Sequence, residues 1–155
     1  MSKTKSLFLS FPILFCCTAL SADPALEQVI TYSHDAAELE WGPCPEFLPD
    51  GCEIAVLHGD PAQNNADIFF KVPPGAQIPR HRHTSAERMV LVSGELHVVY
   101  DGYAPTTLLS GAYAFGPANI PHSAHCADGD APCVLFIAFE EPLDAIPVTE
   151  TAPAR

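Results

Sequence analysis

The chain has 155 residues, of which 19 are Asp or Glu and 7 are Lys or Arg, for a formal net charge of −12. That length suits one domain, able to bury about two-thirds of its unfolded surface. The acidic balance excludes nucleic acid and anionic membranes as natural partners.

Taken in chain order, the first predicted element is an export signal. Lys3 and Lys5 precede an apolar run from Leu7 to Leu20, which is too short to span a bilayer comfortably and ends in small residues. Residues 1–21 are therefore expected to be a signal peptide, with Ala19 and Ser21 at the cleavage positions. The mature chain would be periplasmic or secreted, with no membrane insertion after cleavage. Phe15 and Cys16 stand before Cys17 where a lipoprotein signal needs small residues. Helical signal beyond this is confined to Pro24 to Ile30.

Cleavage removes Cys16 and Cys17 and leaves Cys44, Cys52, Cys126 and Cys133. Cys44 and Cys52 flank the turn-rich PEFLPDG, and Cys126 and Cys133 flank ADGDAP, which has hairpin composition. Local pairing into two disulfides fits an oxidising compartment, although the sequence alone leaves the connectivity open. The alternative of a cysteine metal site lacks any CXXC spacing in the mature chain.

From Cys52 onward, short β runs are separated by Gly, Pro, Asn and Asp: CEIAVLHGD, ADIFFKV, QIPRHRH, RMVLVSG, ELHVVY, TTLLSG, AYAFGP, IPHSAHC and CVLFIAFEE. Their regular spacing predicts an all-β sandwich or barrel. Pro73, Pro74 and Gly75 form a turn delivering the chain into the strand with His81 and His83. Residues 149–155 read as a disordered tail.

The chemistry concentrates in GAQIPRHRHTSAERMVLVSG, Gly75 to Gly94. Side chains alternate along a strand, so His81 and His83 share a face. Thr84, Ser85 and Ala86 make a short connection, and a β-hairpin would place Glu87 beside them on the returning strand. By the same alternation Arg80, Arg82 and Arg88 face away. A second string, GAYAFGPANIPHSAHC, offers His122, while His125 falls on the opposite face of its strand. His34, His58 and His97 have no ligand spacing. Two imidazoles and a carboxylate, joined by a third imidazole, suit Zn, Cu, Fe or Mn better than Ca. The plainer reading of HXH is a pair of solvated strand histidines.

Both strings resemble the motifs of the cupin superfamily. The first matches G(X)5HXH(X)3-4E(X)6G through Gly75, His81, His83, Glu87 and Gly94. The second resembles G(X)5PXG(X)2H(X)3N through Gly111, Pro117 and His122, with Asn119 in place of glycine and Cys126 in place of asparagine. Asn tolerates a left-handed turn, so the first departure costs little. The resemblance spans roughly residues 50 to 142 and implies a cupin jelly-roll barrel as a single domain over residues 22–148. It implies one divalent metal held by His81, His83, Glu87 and His122, and a small-molecule ligand or substrate. Pairing into a homodimer through barrel edges is also implied. The segment from Trp41 through LPDGCEIAVLHGDP is similar to small exported single-domain cupins and to cupin domains of some anti-sigma factors.

With four protein ligands, open coordination positions remain on the ion, as in the metal-dependent dioxygenases of that superfamily. The same ligand set serves cupin isomerases and lyases, and a non-catalytic metal- or ligand-binding module is the competing class. Met89, Leu91 and Ser93, sharing a face with Glu87, and Ala124, sharing one with His122, predict an apolar lining. Ile68 or Phe69, and Phe115 or Tyr113, are expected to add to it. Such a cavity suits a small, mostly apolar or aromatic molecule with one chelating group.

Overall fold

The computed structural model describes residues 28–149. The expected signal peptide, residues 1–21, and residues 150–155 of the expected tail lie outside them. By its contacts the chain divides into Met1–Ile30 and Thr31–Arg155, and every strand belongs to the second unit. No helix occurs among the described residues; most of Pro24 to Ile30 lies outside them, and Gln28 to Ile30 is irregular.

The strands are β1 (Trp41–Pro43), β2 (Glu53–His58), β3 (Ala66–Val72), β4 (Gln77–Arg82), β5 (Glu87–Ser93), β6 (Glu95–Tyr100), β7 (Thr106–Leu109), β8 (Tyr113–Gly116), β9 (His122–Cys126), β10 (Cys133–Phe139) and β11 (Ile146–Pro147). They form two antiparallel sheets, β1-β2-β3-β10-β5-β8 and β11-β4-β9-β6-β7. This is the expected all-β jelly-roll. Each β run read from the sequence is a strand; β1 and β11 are additional.

Two packed layers place the main core between the sheets, where Ile68, Val72, Ile78, Met89, Leu91, Leu96, Leu135 and Ile137 are buried. The outer face of the larger sheet carries a second cluster of Ala55, Phe69 and Val134, packed against Leu39 and Trp41. Phe69 thus belongs outside and Ile68 inside.

The topology corrects one expectation about the site. β4 pairs with β9 and β11, whereas β5 pairs with β8 and β10. Residues 83–86 therefore cross from one sheet to the other, and the histidines and Glu87 meet across the barrel rather than along a β-hairpin. From β3 to β6, and again from β7 to β11, the chain changes sheet at every connection, so both layers are built from each stretch. The segment between Cys126 and Cys133 behaves likewise, linking β9 to β10 in the opposite sheet.

Both cysteine pairs lie at disulfide distance. The Cα atoms of Cys44 and Cys52 are 5.6 Å apart and those of Cys126 and Cys133 are 5.7 Å apart. The first closes the β1–β2 connection; the second fastens a sheet crossover. Gly94 sits beside that fastening at φ 83°, and a Cβ there would stand 2.8 Å from Pro132 O and 2.9 Å from Cys133 Cα. Only glycine meets both demands.

Candidate metal centre

Strand register positions each predicted ligand. β4 pairs with β9 through Ile78↔Ala124 and then His81↔His122, so β4 spends one residue more than its partner between those pairs. This bulge falls at Pro79 and Arg80, where proline has no N–H to give the ladder. It keeps Ile78 and His81 on the inner face despite their odd spacing. His83 follows just beyond the strand. His122 opens β9, with Ala124 and Cys126 inward after it, and His125 turned outward to stack on His97 at 6.0 Å between ring centroids. Glu87 opens β5 on the opposing sheet.

One ligand atom from each of His81, His83 and His122 lies within 4.8 Å of the others, and all three residues are buried. Glu87 falls outside that three-histidine group but lies beside two of its members, with Oε1 3.4 Å from His83 Nε2 and Oε2 3.8 Å from His122 Nε2. Glu87 is only 4 % exposed. Arg80 pairs with Asp101, Arg82 donates to Asn119 Oδ1 at 2.8 Å and Arg88 pairs with Glu140, so the arginines do turn away. Asn119 takes the left-handed conformation at φ 62° and its N–H donates to His83 O at 2.8 Å, bracing the crossover.

Each imidazole is fixed through its far nitrogen. His81 Nδ1 faces Pro79 O at 2.7 Å, His122 Nδ1 faces Ile120 O at 3.2 Å, and His83 Nδ1 faces Asp144 O. A carbonyl only accepts, so each Nδ1 carries the hydrogen and each Nε2 carries a lone pair. Three neutral imidazoles with their ligand atoms close together are the state a metal requires, and backbone carbonyls fixing the ring are its usual support.

Electrostatics agree. Burial pushes His83 down to about 4 and His122 down to about 3, and lowers His81 as well. Burial, with Asp144 nearby, pushes Glu87 up to about 8. At neutral pH the metal-free cluster is uncharged, so the Glu87–histidine approaches are contacts between neutral groups. A divalent ion would draw the proton from Glu87 and supply the charge that the buried carboxylate lacks. The donor set therefore fits such an ion.

Sequence reasoning missed three contributors. Asp144 bonds His83 through its carbonyl, and its carboxylate accepts from Thr84 N at 2.9 Å and Thr84 Oγ1 at 2.8 Å. Tyr100 pairs with His122 across β6 and β9 and stacks on it at 4.5 Å between ring centroids. Gly116 leaves room for both neighbours: a Cβ there would stand 2.5 Å from Tyr100 Oη and 3.0 Å from Glu87 Oε2. The signal for Tyr100 was its parity with Leu96 and Val98; Asp144 had none, being far from His83 in sequence.

A cavity of about 180 Å³ adjoins these residues. Its walls include Ile54, Ile68, Phe70, Met89, Leu135 and Ile137, and the segments Pro45 to Leu48 and Leu143 to Ala145 also border it. Ala124 lines it as expected. Ser93 does not share the face of Met89 and Leu91, because a bulge shifts the register between Leu91 and Ser93 and sets Ser93 opposite Val134 of the outer cluster. Tyr113 and Phe115 are 61 % and 53 % exposed on the outer side of edge strand β8, while Ala114 faces in.

Comparison with known proteins bears on this arrangement. The cupin domain family matches residues 68–139, the stretch holding all four predicted ligands. Residues 68–139 belong to the cupin superfamily. No curated protein sequence matches this cupin. Among solved structures it is similar to the polyketide cyclase RemF from Streptomyces resistomycificus, at 19% identity and TM-score 0.63, covering 79% of this chain and 88% of that one. It is similar to DMSP lyase DddQ from Ruegeria pomeroyi at 20% identity and TM-score 0.60, covering 76% of this cupin but only 64% of the lyase. It is also similar to Bacillus subtilis oxalate decarboxylase, which has Mn(II) centres, at 17% identity and TM-score 0.55, covering 65% and 29%. At these identities the likeness concerns the cupin fold.

Proposed function

We propose that this cupin is an exported metal-dependent enzyme of the dioxygenase type, acting on a small chelating molecule. It would hold one divalent ion, Zn, Cu, Fe or Mn, through Nε2 of His81, His83 and His122 and the carboxylate of Glu87. The observation that carries the reading is the set of three Nδ1–carbonyl anchors, which leaves Nε2 of His81, His83 and His122 free to bind an ion where the three residues come together at the edge of an apolar cavity. An ion in this ligand set supplies Lewis acidity and, where it is Fe, Mn or Cu, one-electron chemistry with dioxygen.

The protein's part is orientation and exclusion of water. Apolar walls strip solvent from a bound molecule and leave the metal-facing end as its polar contact. A lyase or isomerase reading, to which the DMSP lyase neighbour lends weight, calls for a positioned base. Apart from the proposed ligands, the titratable groups lining the cavity among the described residues are Tyr100 and Asp144, and the Asp144 carboxylate is occupied by Thr84. Oxygen chemistry on a coordinated anion asks less of the side chains. For location, paired cysteines fit an oxidising compartment, and no helix among the described residues is long and apolar enough to cross a membrane.

Metal analysis of protein from its native compartment, then oxygen-uptake measurements with chelating aromatic acids and diols, tests the proposal. Substrate-dependent oxygen consumption is expected with Fe, Mn or Cu. Conversion of a substrate without oxygen consumption would transfer the assignment to the lyase or isomerase class. Stoichiometric metal with no open coordination position would leave a non-catalytic module.

A further inference from the structure

The geometry points to Tyr100 as the ligand-recognising group of the cavity, its phenol donating a hydrogen bond to an oxygen of a compact molecule with an apolar, ring-sized body and a single chelating end. This rests on the metal reading above and deepens it.

Three observations support it. First, Tyr100 lines the cavity and lies flat against His122, and its Oη and Glu87 Oε2 both fall within 3.0 Å of one point above Gly116. The phenol is thus beside the proposed metal ligands without being one of them. Second, the donors of the lining are otherwise committed. The imidazole N–H groups are spent on Pro79, Ile120 and Asp144 carbonyls, and Tyr100 Oη makes no hydrogen bond among the described residues. A partly buried phenol hydroxyl in this setting is a donor awaiting an acceptor. Third, no Lys or Arg among the described residues lines the cavity. A second anionic group on the ligand, away from the metal, would be desolvated without a partner, so the ligand's charge must sit at its chelating end. At about 180 Å³ the space compares with the roughly 150 Å³ Leu/Ile/Phe-lined cavity that accepts benzene. One ring with small substituents fits.

The experiment uses the full-length mature protein loaded with cobalt(II), whose visible absorption reports coordination, and three probes. Benzohydroxamate has an oxygen chelate and a phenyl body, acetohydroxamate the same chelate without the ring, and 4-phenylimidazole a ring with a nitrogen head offering no acceptor once coordinated. Benzohydroxamate is expected to bind about tenfold or more tighter than acetohydroxamate. Tyr100→Phe should weaken both hydroxamates about tenfold, the worth of one hydrogen bond to a charged oxygen, and leave 4-phenylimidazole affinity, cobalt stoichiometry and thermal midpoint unchanged. Equal weakening of all three probes would mean that Tyr100 merely packs His122, and unchanged hydroxamate affinity would remove it from recognition; either result overturns the proposal. Equal binding of the two hydroxamates overturns the ring-sized body. Failure to bind cobalt overturns the metal reading first, before any probe is added.

Discussion

Gly116→Ala is the most informative single substitution, because it adds one methyl group at the point where the phenol and the carboxyl meet. The new Cβ would stand 2.5 Å from Tyr100 Oη and 3.0 Å from Glu87 Oε2, against an ordinary contact of 3.4 Å or more. Relief requires the phenol to retreat by roughly 0.9 Å and the carboxyl by roughly 0.4 Å. Both atoms end side chains rather than belong to backbone, so the fold can yield at a cost of about 1 kcal/mol, the low end for overpacking. The metal centre cannot yield so cheaply, since displaced supporting groups typically weaken a site about 10- to 100-fold. Metal titration by a competing chelator, together with thermal unfolding of the metal-free protein, separates the two effects. Gly42→Ala is the control, because its Cβ would meet only Ile54 O at 3.9 Å. Adding Tyr100→Phe removes the tighter clash and should restore part of the lost affinity. If Gly116→Ala binds metal as tightly as Gly42→Ala does, Glu87 is not a ligand in this geometry and the four-residue centre is refuted.

Other expectations follow from the same contacts. His83→Ala should lose most bound metal by elemental analysis, because it removes one of three converging lone pairs; stoichiometric metal in that variant would count against the assignment. Metal affinity should rise by about tenfold per pH unit up to about pH 8 and then level off, since binding must displace one proton from Glu87 while the buried His83 and His122 stay neutral far below that range. In Glu87→Gln the slope should vanish and the affinity at pH 8 should fall, as read by chelator competition across pH. Opening the Cys44–Cys52 pair by Ser substitution at both positions should destabilise by about 2 to 3 kcal/mol on the chain-entropy account. It should also loosen the Pro45 to Leu48 wall of the cavity, visible as faster hydrogen exchange there.

The strands were legible because alternation and turn residues are local signals. What the sequence could not convey was which strands become neighbours. His81, His83 and Glu87 lie so close in sequence that a hairpin is the economical reading, yet the chain uses those few residues to change sheets. β1 and β11 are three and two residues long, too short for alternation to register. Ser93 was misplaced for a related reason: a single-residue bulge reverses facing, and nothing in LVSG announces one. Asp144 reaches His83 only through the late return of the chain beside β4, where Ile146 and Pro147 pair with Arg82 and His81. Motif residues were therefore found and their supports were not.

Because the imidazoles come from one sheet and the carboxyl from the other, a coordinated ion would act as a rivet through the barrel wall to wall. Prising the layers apart would then mean breaking coordination bonds as well as exposing apolar surface. Chelation should consequently speed proteolytic nicking of the folded protein, and metal supply would govern how long each molecule lasts.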